Sequence, residues 1–193
     1  MLNEKEQHLY RQIYANAGAG YDAFAPVESV SPEQLKNIFS AVYNDHPELF
    51  WMDTAYACKY RRQTPDRLLY FPFPAGSVAV WQSPRQSVLL HLVFPDNNLD
   101  SAKAAFDENA GYILEEAGKL LNDYEKEKYV HDALIEKIVY NASAEMNQSA
   151  YSAMVNGETV CAGYARAFQY LLQQLGIPCY YCTGYAEERH AWN

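Results

Sequence analysis

The sequence predicts an α+β protein with two regions, and three features along the chain lead to this prediction. Helical periodicity covers residues 4–17 and 32–44. From residue 50 to residue 95, tyrosine- and valine-rich runs alternate with proline-containing turns, which is typical of a small antiparallel β-meander. After residue 97 the chain returns to helical patterns and then ends in short strand-like runs. The change near residue 97 is therefore the predicted boundary between the two regions.

Residues 1–97 are expected to form an accessory region of helices and meander. Its second helix is opened by Ser31, a favourable N-cap, followed by Pro32 at the first helical position. The predicted strands are the runs AYACKYR, RLLYFPF, SVAVW and SVLLHLVF. Pro72 and Pro74 favour an edge position for their strand, because proline has no N–H to donate to a neighbouring strand.

Residues 98–193 are expected to form the core of mixed helix and strand. The predicted elements are helices at residues 101–121, 123–139 and 149–155, a helix opened by Thr159, and strands at about 179–185 and from Arg189 onwards. Val130, Leu134 and Ile138 form one apolar stripe of the second of these helices. Gly176 is the predicted residue just past the end of the last helix, where a left-handed conformation is common.

The composition is that of an ordinary globular protein, and it disfavours several classes of function. Of the 193 residues, 49% are hydrophobic and 20% are charged, and the formal net charge is −9. This charge would repel a phosphate backbone or an anionic membrane surface, so nucleic-acid and membrane binding are disfavoured. No apolar run approaches the roughly 18 residues needed to span a bilayer, and the charged start MLNEKEQHLYRQIY lacks the apolar segment of an export signal. No spacing typical of a metal site occurs, and we expect neither metal nor other cofactor.

Four cysteines, at positions 58, 161, 179 and 182, would allow two disulfides by number alone. Cys179 and Cys182 have the CxxC spacing of redox proteins, but they lead into a strand instead of opening a helix. On a strand, positions i and i+3 face opposite sides, so the two thiols are poorly placed to join. Two ordinary strand cysteines are therefore expected, and a dithiol oxidoreductase remains an alternative.

Cys161 stands at the start of a helix whose first turn is otherwise rich in small residues. With Thr159 as the N-cap, Cys161 lies in the first turn, where unpaired N–H groups and the helix dipole favour an anion. The thiolate is the nucleophilic form of cysteine, and the same N–H groups can stabilise an oxyanion. Ala162, Gly163 and Ala165 leave room for neighbouring backbone to approach closely. A buried structural cysteine would show most of these features, so both interpretations stay open on this pattern.

A cysteine nucleophile needs a base, and His190 is the histidine best placed to supply it. After the helix the chain turns, runs back along the helix as a strand, and turns again before it reaches His190. The start of the helix and the start of the second strand can therefore meet in space. The other four histidines lie in or beside predicted helices and the meander, and we interpret them as surface or core residues.

The C-terminal third of the chain resembles the core of the bacterial transglutaminase-like superfamily, over about residues 125–193. The resemblance rests on a V-C-x-G-Y-A pattern at residues 160–165 and an H-A-W-N sequence at residues 190–193, which occur together and in this order. Further matching positions are Tyr151, Ser152, Ala153, Gly157, Ala167, Phe168, Leu171, Leu172, Gly176, Ile177 and Gly184. The HPELFW stretch at residues 46–51 is similar to the N-terminal region of secreted or surface members from Gram-positive bacteria.

This resemblance implies a papain-like fold in which a helix carrying Cys161 packs on an antiparallel sheet. It implies that Cys161 is the nucleophile and His190 the general base, with Tyr151, Ala162 and Trp192 as candidates for lining the site or its oxyanion hole. Tyr151 is expected either to donate its hydroxyl there or to pack in the core. The implied reaction is acyl transfer from a protein or peptide amide, to water or to an amine, at an extracellular or cell-surface location.

The family's third catalytic residue is an Asp or Asn on the strand that follows the histidine strand. Asn193 lies three residues after His190 on one extended segment and should face the other way, whereas Trp192 shares the face of the histidine and should shield the pair. We therefore expect the third member to lie beyond residue 193, and the chain to be a fragment with little activity of its own. The exposed strand edge of such a fragment is expected either to pair with another copy or to be relieved by disorder of the last residues.

A function from a different class is a non-catalytic binding or structural module of a surface protein that keeps this fold. Thiol reactivity distinguishes the two, because a scaffold has no use for a reactive Cys161.

Overall fold

The computed structural model describes residues 2–27, 30–53, 57–61, 68–72, 78–83, 85–94 and 98–193. The chain divides into two compact units. One unit comprises residues 1–43 and 51–97, and the other comprises residues 44–50 and 98–193.

The two N-terminal helices begin at polar caps. Helix α1 covers Glu4–Gly18 and opens with a capping box. Helix α2 covers Pro32–Asp45, and before it the Ser31 hydroxyl accepts from the Gln34 N–H while the Gln34 side chain accepts from the Ser31 N–H. Their buried residues follow one helix face: Leu9, Ile13 and Ala17 in α1, and Leu35, Ile38, Phe39 and Val42 in α2. Both predicted helices and the predicted N-cap are confirmed.

The described strands of the first unit are β1 (Ala23–Phe24), β2 (Ala57–Arg61), β3 (Leu68–Pro72), β4 (Val78–Ser83) and β5 (Arg85–Leu90). They form a sheet in the order β1-β5-β4-β2-β3. The β2–β3 and β4–β5 pairs are antiparallel, but β2 and β4 pair in parallel, so the prediction of a simple antiparallel meander is wrong. Pro72 ends β3, which lies at the edge of this sheet, as predicted. Strand β4 does not pair with β3, as a meander would require; it pairs with the other side of β2, and this pair is parallel. Pro74 lies outside the described residues.

The second unit contains α3 (Leu99–Ala117), α4 (Asp123–Lys137), β6 (Val139–Tyr140), a short π-helix (Ser152–Asn156), β7 (Glu158–Thr159), α5 (Cys161–Gln174), β8 (Cys182–Ala186) and β9 (Glu188–Trp192). The predicted stripe of Val130, Leu134 and Ile138 is buried, which confirms the face of α4. Strands β6 and β7 form a parallel pair that the sequence did not predict, because strands of two residues show no periodic pattern. This mixture of helices and small sheets is compatible with an α+β transglutaminase-like fold.

Helix α5 packs against α3, α4 and β9. It ends where Gly176 takes a left-handed conformation (φ +76°), as predicted. The Gly176 N–H donates to the Gln173 carbonyl oxygen at 3.1 Å and the Ile177 N–H to that of Leu172 at 2.9 Å. Strands β8 and β9 form an antiparallel hairpin, and β8 begins at Cys182, later than predicted. Among the described helices, none combines the length and the apolar character that a membrane span requires.

Candidate functional site

Cys161 is the first residue of α5 and is half-buried. Val160 occupies the N-cap position with extended backbone angles (φ −113°, ψ −177°) and makes no side-chain capping bond. The prediction of Thr159 as the N-cap is therefore wrong. Thr159 belongs to β7, and its hydroxyl donates to the carbonyl oxygen of Asn147 at 2.6 Å. Because this hydroxyl bonds to the loop that contains Asn147, it does not cap the first turn of α5.

The first turn of α5 fits against Thr159 because position 163 is glycine. A Cβ at Gly163 would lie 1.8 Å from Thr159 Oγ1 and 2.8 Å from the Ser149 carbonyl oxygen, and Cβ atoms do not approach other heavy atoms this closely. The expectation that small residues here allow neighbouring backbone to come close is confirmed at this position.

The first turn of α5 contains two backbone N–H groups that make no hydrogen bond to a described residue. Within the described part of the chain, no acceptor bonds to the backbone N–H of Cys161 or of Ala162. The next two N–H groups, those of Gly163 and Tyr164, both donate to the Val160 carbonyl oxygen, at 3.0 and 3.2 Å. A pair of uncommitted donors at the positive end of a helix can bind an oxyanion.

Strand β9 runs along α5 and brings the chain back to the start of that helix. Ala191 is buried in an apolar cluster against which Cys161 packs. Two residues further on, Asn193 Nδ2 donates to the Ala165 carbonyl oxygen at 3.0 Å. Ala191 thus lies at the first turn of α5, and Asn193 lies further along the helix, at Ala165. The backbone of His190, which precedes Ala191, therefore lies near the N-terminal end of α5, where Cys161 is.

The His190 side chain is exposed and lies on the face of β9 opposite to Ala191. Its ring stacks on that of Trp192, with centroids 6.1 Å apart and an interplanar angle of 22°. Among the described residues, no hydrogen bond joins His190 to Cys161 or to a carboxylate or amide. The structure therefore brings the two elements together without a bond between the two side chains.

The Trp192 side chain lies next to Gly184 of the neighbouring strand β8. Its side chain is 43% exposed, and a Cβ at Gly184 would come within 2.6 Å of its Cη2 atom. Gly184 is the register partner of His190, so the indole covers the hairpin beside the imidazole. His190 and Trp192 share one face of β9 and Asn193 reaches α5 from the other, as the extended backbone predicts.

The remaining two predicted site residues lie in different surroundings. Ala162 is buried in the first turn of α5, next to Cys161. Tyr151 is 7% exposed, and its ring packs on Phe50 with centroids 4.8 Å apart. This contact is the core packing that was one of the two expected roles of Tyr151, and the hydroxyl-donor role stays a prediction.

Cys179 and Cys182 are both free thiols. Cys182 lies on β8, but Cys179 precedes the strand, so only one of them is a strand cysteine. Burial, with the Glu127 carboxylate as a further cause, raises the pKa of the Cys179 thiol to about 11. This direction opposes the thiolate that a dithiol oxidoreductase needs, so that alternative is not supported. The side chain of Cys58 lies outside the described part of the structure.

Three other histidines contact carboxylates. The Nδ1 atoms lie 2.8 Å from a carboxylate oxygen in the pair His46–Glu48, 2.5 Å in His91–Asp53 and 3.1 Å in His131–Asp132. These contacts fit the interpretation of surface or structural histidines. Among the described residues, no group of three or more His, Cys, Asp and Glu side chains is arranged to hold a metal ion.

Comparison with known families bears on the segment that contains α5 and β9. Residues 112–193 match the transglutaminase-like superfamily. The matched segment begins within α3 and includes both Cys161 and His190. It supports this superfamily, one of cysteine enzymes, for the C-terminal part of the chain. No curated protein sequence matches the chain.

The roles of Thr159 and Asn147 were missed by sequence reasoning. A threonine directly before an apolar residue and a cysteine is also the pattern of an ordinary N-cap. The small residues after Cys161, Gly163 among them, were the sequence signal for a close approach in this region, but they did not identify Thr159 and Asn147 as partners.

Proposed function

We propose that the chain carries a transglutaminase-like cysteine enzyme with a papain-like arrangement, which transfers an acyl group from a protein or peptide amide. The observation that carries the proposal is that β9, the strand that holds His190, packs along α5, the helix that begins at Cys161. This contact supports a catalytic pair of Cys161 and His190. The match of residues 112–193 to the transglutaminase-like superfamily supports the class of reaction.

In the first half-reaction, the Cys161 sulfur attacks the amide carbonyl carbon while His190 takes the thiol proton. The carbonyl π electrons move onto oxygen, and this oxyanion accepts hydrogen bonds from the N–H groups of Cys161 and Ala162. The C–N bond then breaks, and His190 returns its proton to the leaving nitrogen. A thioester on Cys161 remains.

In the second half-reaction, water or an amine attacks the thioester carbon and gives a proton to His190. The C–S bond breaks, and the sulfur recovers its proton from His190. Water yields a carboxylic acid, and an amine yields a new amide. His190 is exposed, so an acceptor can approach it from solvent.

The orientation of the imidazole is part of the proposal. Stacking on Trp192 limits the positions that the His190 ring can take. An Asp or Asn that completes the triad is proposed to follow residue 193, because no described carboxylate or amide bonds to the ring. Such a group would fix the tautomer of His190.

The alternative is a non-catalytic binding or structural module. Two observations are on its side: within the described chain, His190 and Cys161 are not hydrogen-bonded to each other, and the His190 side chain lies on the face of β9 opposite to Ala191, which packs near Cys161. The superfamily match does not favour this alternative.

Thiol labelling of the folded chain tests the proposal directly. With iodoacetamide at about pH 6, Cys161 should react on the order of tenfold faster than Cys179 and Cys182, because the proposed mechanism has His190 take the proton of the Cys161 thiol. Peptide mapping by mass spectrometry gives the rate at each thiol. His190→Ala should reduce the Cys161 rate to that of Cys182, whereas the control His131→Ala should leave it unchanged. Equal labelling of all thiols in the unmodified chain would support the non-catalytic module instead.

A turnover assay tests the reaction itself. Ammonia release from a glutamine-containing peptide, with and without a dansylated alkylamine, separates hydrolysis from amine transfer. Cys161→Ala should abolish both, and Cys182→Ala should preserve both. Where the natural sequence continues past Asn193, the assay is made with that continuation as well. Undiminished turnover by Cys161→Ala would show that another residue is the nucleophile.

A further inference from the structure

The segment that precedes α5, residues 145–160, contains a set of buried polar groups that the proposed chemistry does not use. Thr159 and Ser152 are fully buried. The Thr159 hydroxyl donates to the Asn147 carbonyl oxygen at 2.6 Å, and the Val160 N–H donates to the same oxygen at 3.2 Å. One carbonyl group therefore fixes both residues that come immediately before Cys161.

The Asn147 carbonyl is itself held in place. Asn147 Nδ2 donates to the Ala142 carbonyl oxygen at 2.6 Å. The Ser152 hydroxyl lies within donating distance of two carbonyl oxygens, that of Glu158 at 2.5 Å and that of Glu145 at 2.9 Å. It thereby joins the strand that leads to α5 to the loop that contains Asn147. Buried bonds of this kind resist displacement, because a group that loses its partner there is not solvated by water.

A side-chain cap on α5 would conflict with the proposed oxyanion site. Ser, Thr, Asp and Asn at an N-cap accept a hydrogen bond from the N–H of the second or third helical residue. In α5 the second residue is Ala162, whose N–H has no acceptor among the described residues. Val160 at the N-cap is apolar and buried, and it leaves this donor uncommitted.

We propose that Thr159 and Val160 are positioning residues for the nucleophile. Thr159, through its bond to the Asn147 carbonyl, anchors the residues that lead into α5. Val160 leaves the N-cap position without a side-chain acceptor for the N–H groups of the first turn. Cys161 and the two N–H donors beside it are thereby held rigidly and kept available to a substrate carbonyl. This inference rests on the proposed function and identifies what sets the geometry of that site.

The Thr159 part is tested with Thr159→Val, which keeps the shape of the side chain and removes the hydroxyl. The iodoacetamide rate at Cys161, divided by the rate at Cys182 in the same sample, should fall on the order of 10- to 100-fold, because the thiol is no longer held in place. Thr159→Ser restores the hydroxyl and should restore the ratio. An unchanged ratio with a lowered Tm in Thr159→Val would mean that the bond is structural only, and would overturn this part.

The Val160 part is tested with Val160→Thr, which adds an acceptor at the N-cap with little change in shape. Acylation of Cys161 by p-nitrophenyl acetate passes through an oxyanion, whereas alkylation by iodoacetamide does not. We expect a higher Tm, a slower acylation burst and an unchanged alkylation rate. Effects of the same sign on Tm and acylation, or an equal loss of acylation and alkylation, would overturn this part.

Failure of the proposed function would look different from failure of either part. In that case Cys161→Ala would turn over the ester and the amide as fast as the unmodified chain, whatever happens to the Thr159→Val labelling ratio.

Discussion

The indole of Trp192 lies so close to Gly184 that a Cβ on this glycine would come within 2.6 Å of the Cη2 atom. Gly184 is also the register partner of His190, whose ring stacks on the same indole. The absence of a side chain at Gly184 therefore leaves the space that the Trp192 indole occupies beside the imidazole.

Gly184→Ala should displace the indole from the hairpin. We expect the free energy of unfolding to fall by about 1–3 kcal/mol, as for other overpacked sites, and labelling of Cys161 at about pH 6 to slow because His190 is less well oriented. Urea unfolding and peptide mapping measure the two effects.

Gly111→Ala is the matched control for this substitution. Gly111 lies in α3, and apart from its chain neighbours and the adjacent backbone of that helix, a Cβ there would meet no described heavy atom within 4 Å. The control should raise the free energy of unfolding by roughly 0.5–1 kcal/mol through helix propensity. If Gly184→Ala behaves like the control, Gly184 does not determine the position of Trp192.

Gly163→Ala should be more damaging, because the new Cβ would meet both Thr159 Oγ1 and the Ser149 carbonyl oxygen. We expect the free energy of unfolding to fall by about 3 kcal/mol, the upper part of the range for overpacking. Thr159→Ala removes the nearer of the two atoms but not the backbone oxygen of Ser149. A double-mutant cycle measured by urea unfolding should therefore show partial relief, with a coupling energy on the order of 1 kcal/mol. Strict additivity of the two substitutions would contradict the contact.

The helix that carries Cys161 was predictable because its signals are local. Small residues open it, an apolar face follows, and Gly176 closes it in a left-handed conformation. The opposite directions of the His190 side chain, on β9, and the Asn193 side chain, just after β9, were predictable for the same reason, since extended backbone places successive side chains on opposite faces.

The N-cap and the order of the sheet were not predictable, because both depend on distant groups. The Thr159 hydroxyl had two possible partners, the first turn of α5 and the carbonyl of Asn147, and only tertiary structure selects between them. Likewise, the strand runs of the first unit indicate where β2 and β4 are, but not that they pair in parallel. Periodicity identifies strands and leaves their neighbours open.

The Cys179 thiol predicts a loss of stability at alkaline pH. Its pKa is raised from 9.0 to about 11, chiefly by burial. Between these two values the folded chain keeps the proton and the unfolded chain loses it, so the stabilisation is present below about pH 9 and disappears as the pH rises towards 11. Urea unfolding of the unmodified chain and of Cys179→Ala, at several pH values across this window, isolates the effect. The unmodified chain should lose stability with rising pH more steeply than Cys179→Ala, and equal slopes would show that this thiol is not involved.

Asn193→Asp should loosen the strand that carries His190 from the helix that carries Cys161. The substitution keeps the size of the side chain, but it replaces the donor to the Ala165 carbonyl oxygen with a second acceptor. We expect the free energy of unfolding to fall by about 1–3 kcal/mol, and the labelling rate of Cys161 to fall relative to that of Cys182. The same change at Asn109 is the control: its Nδ2 donates only within α3, to Ala105, while its Oδ1 accepts from Lys137. A carboxylate suits that lysine, so Asn109→Asp should change stability by less than about 0.5 kcal/mol. If Asn193→Asp lowers stability but leaves the labelling ratio unchanged, the bond to Ala165 anchors the fold without setting the position of His190.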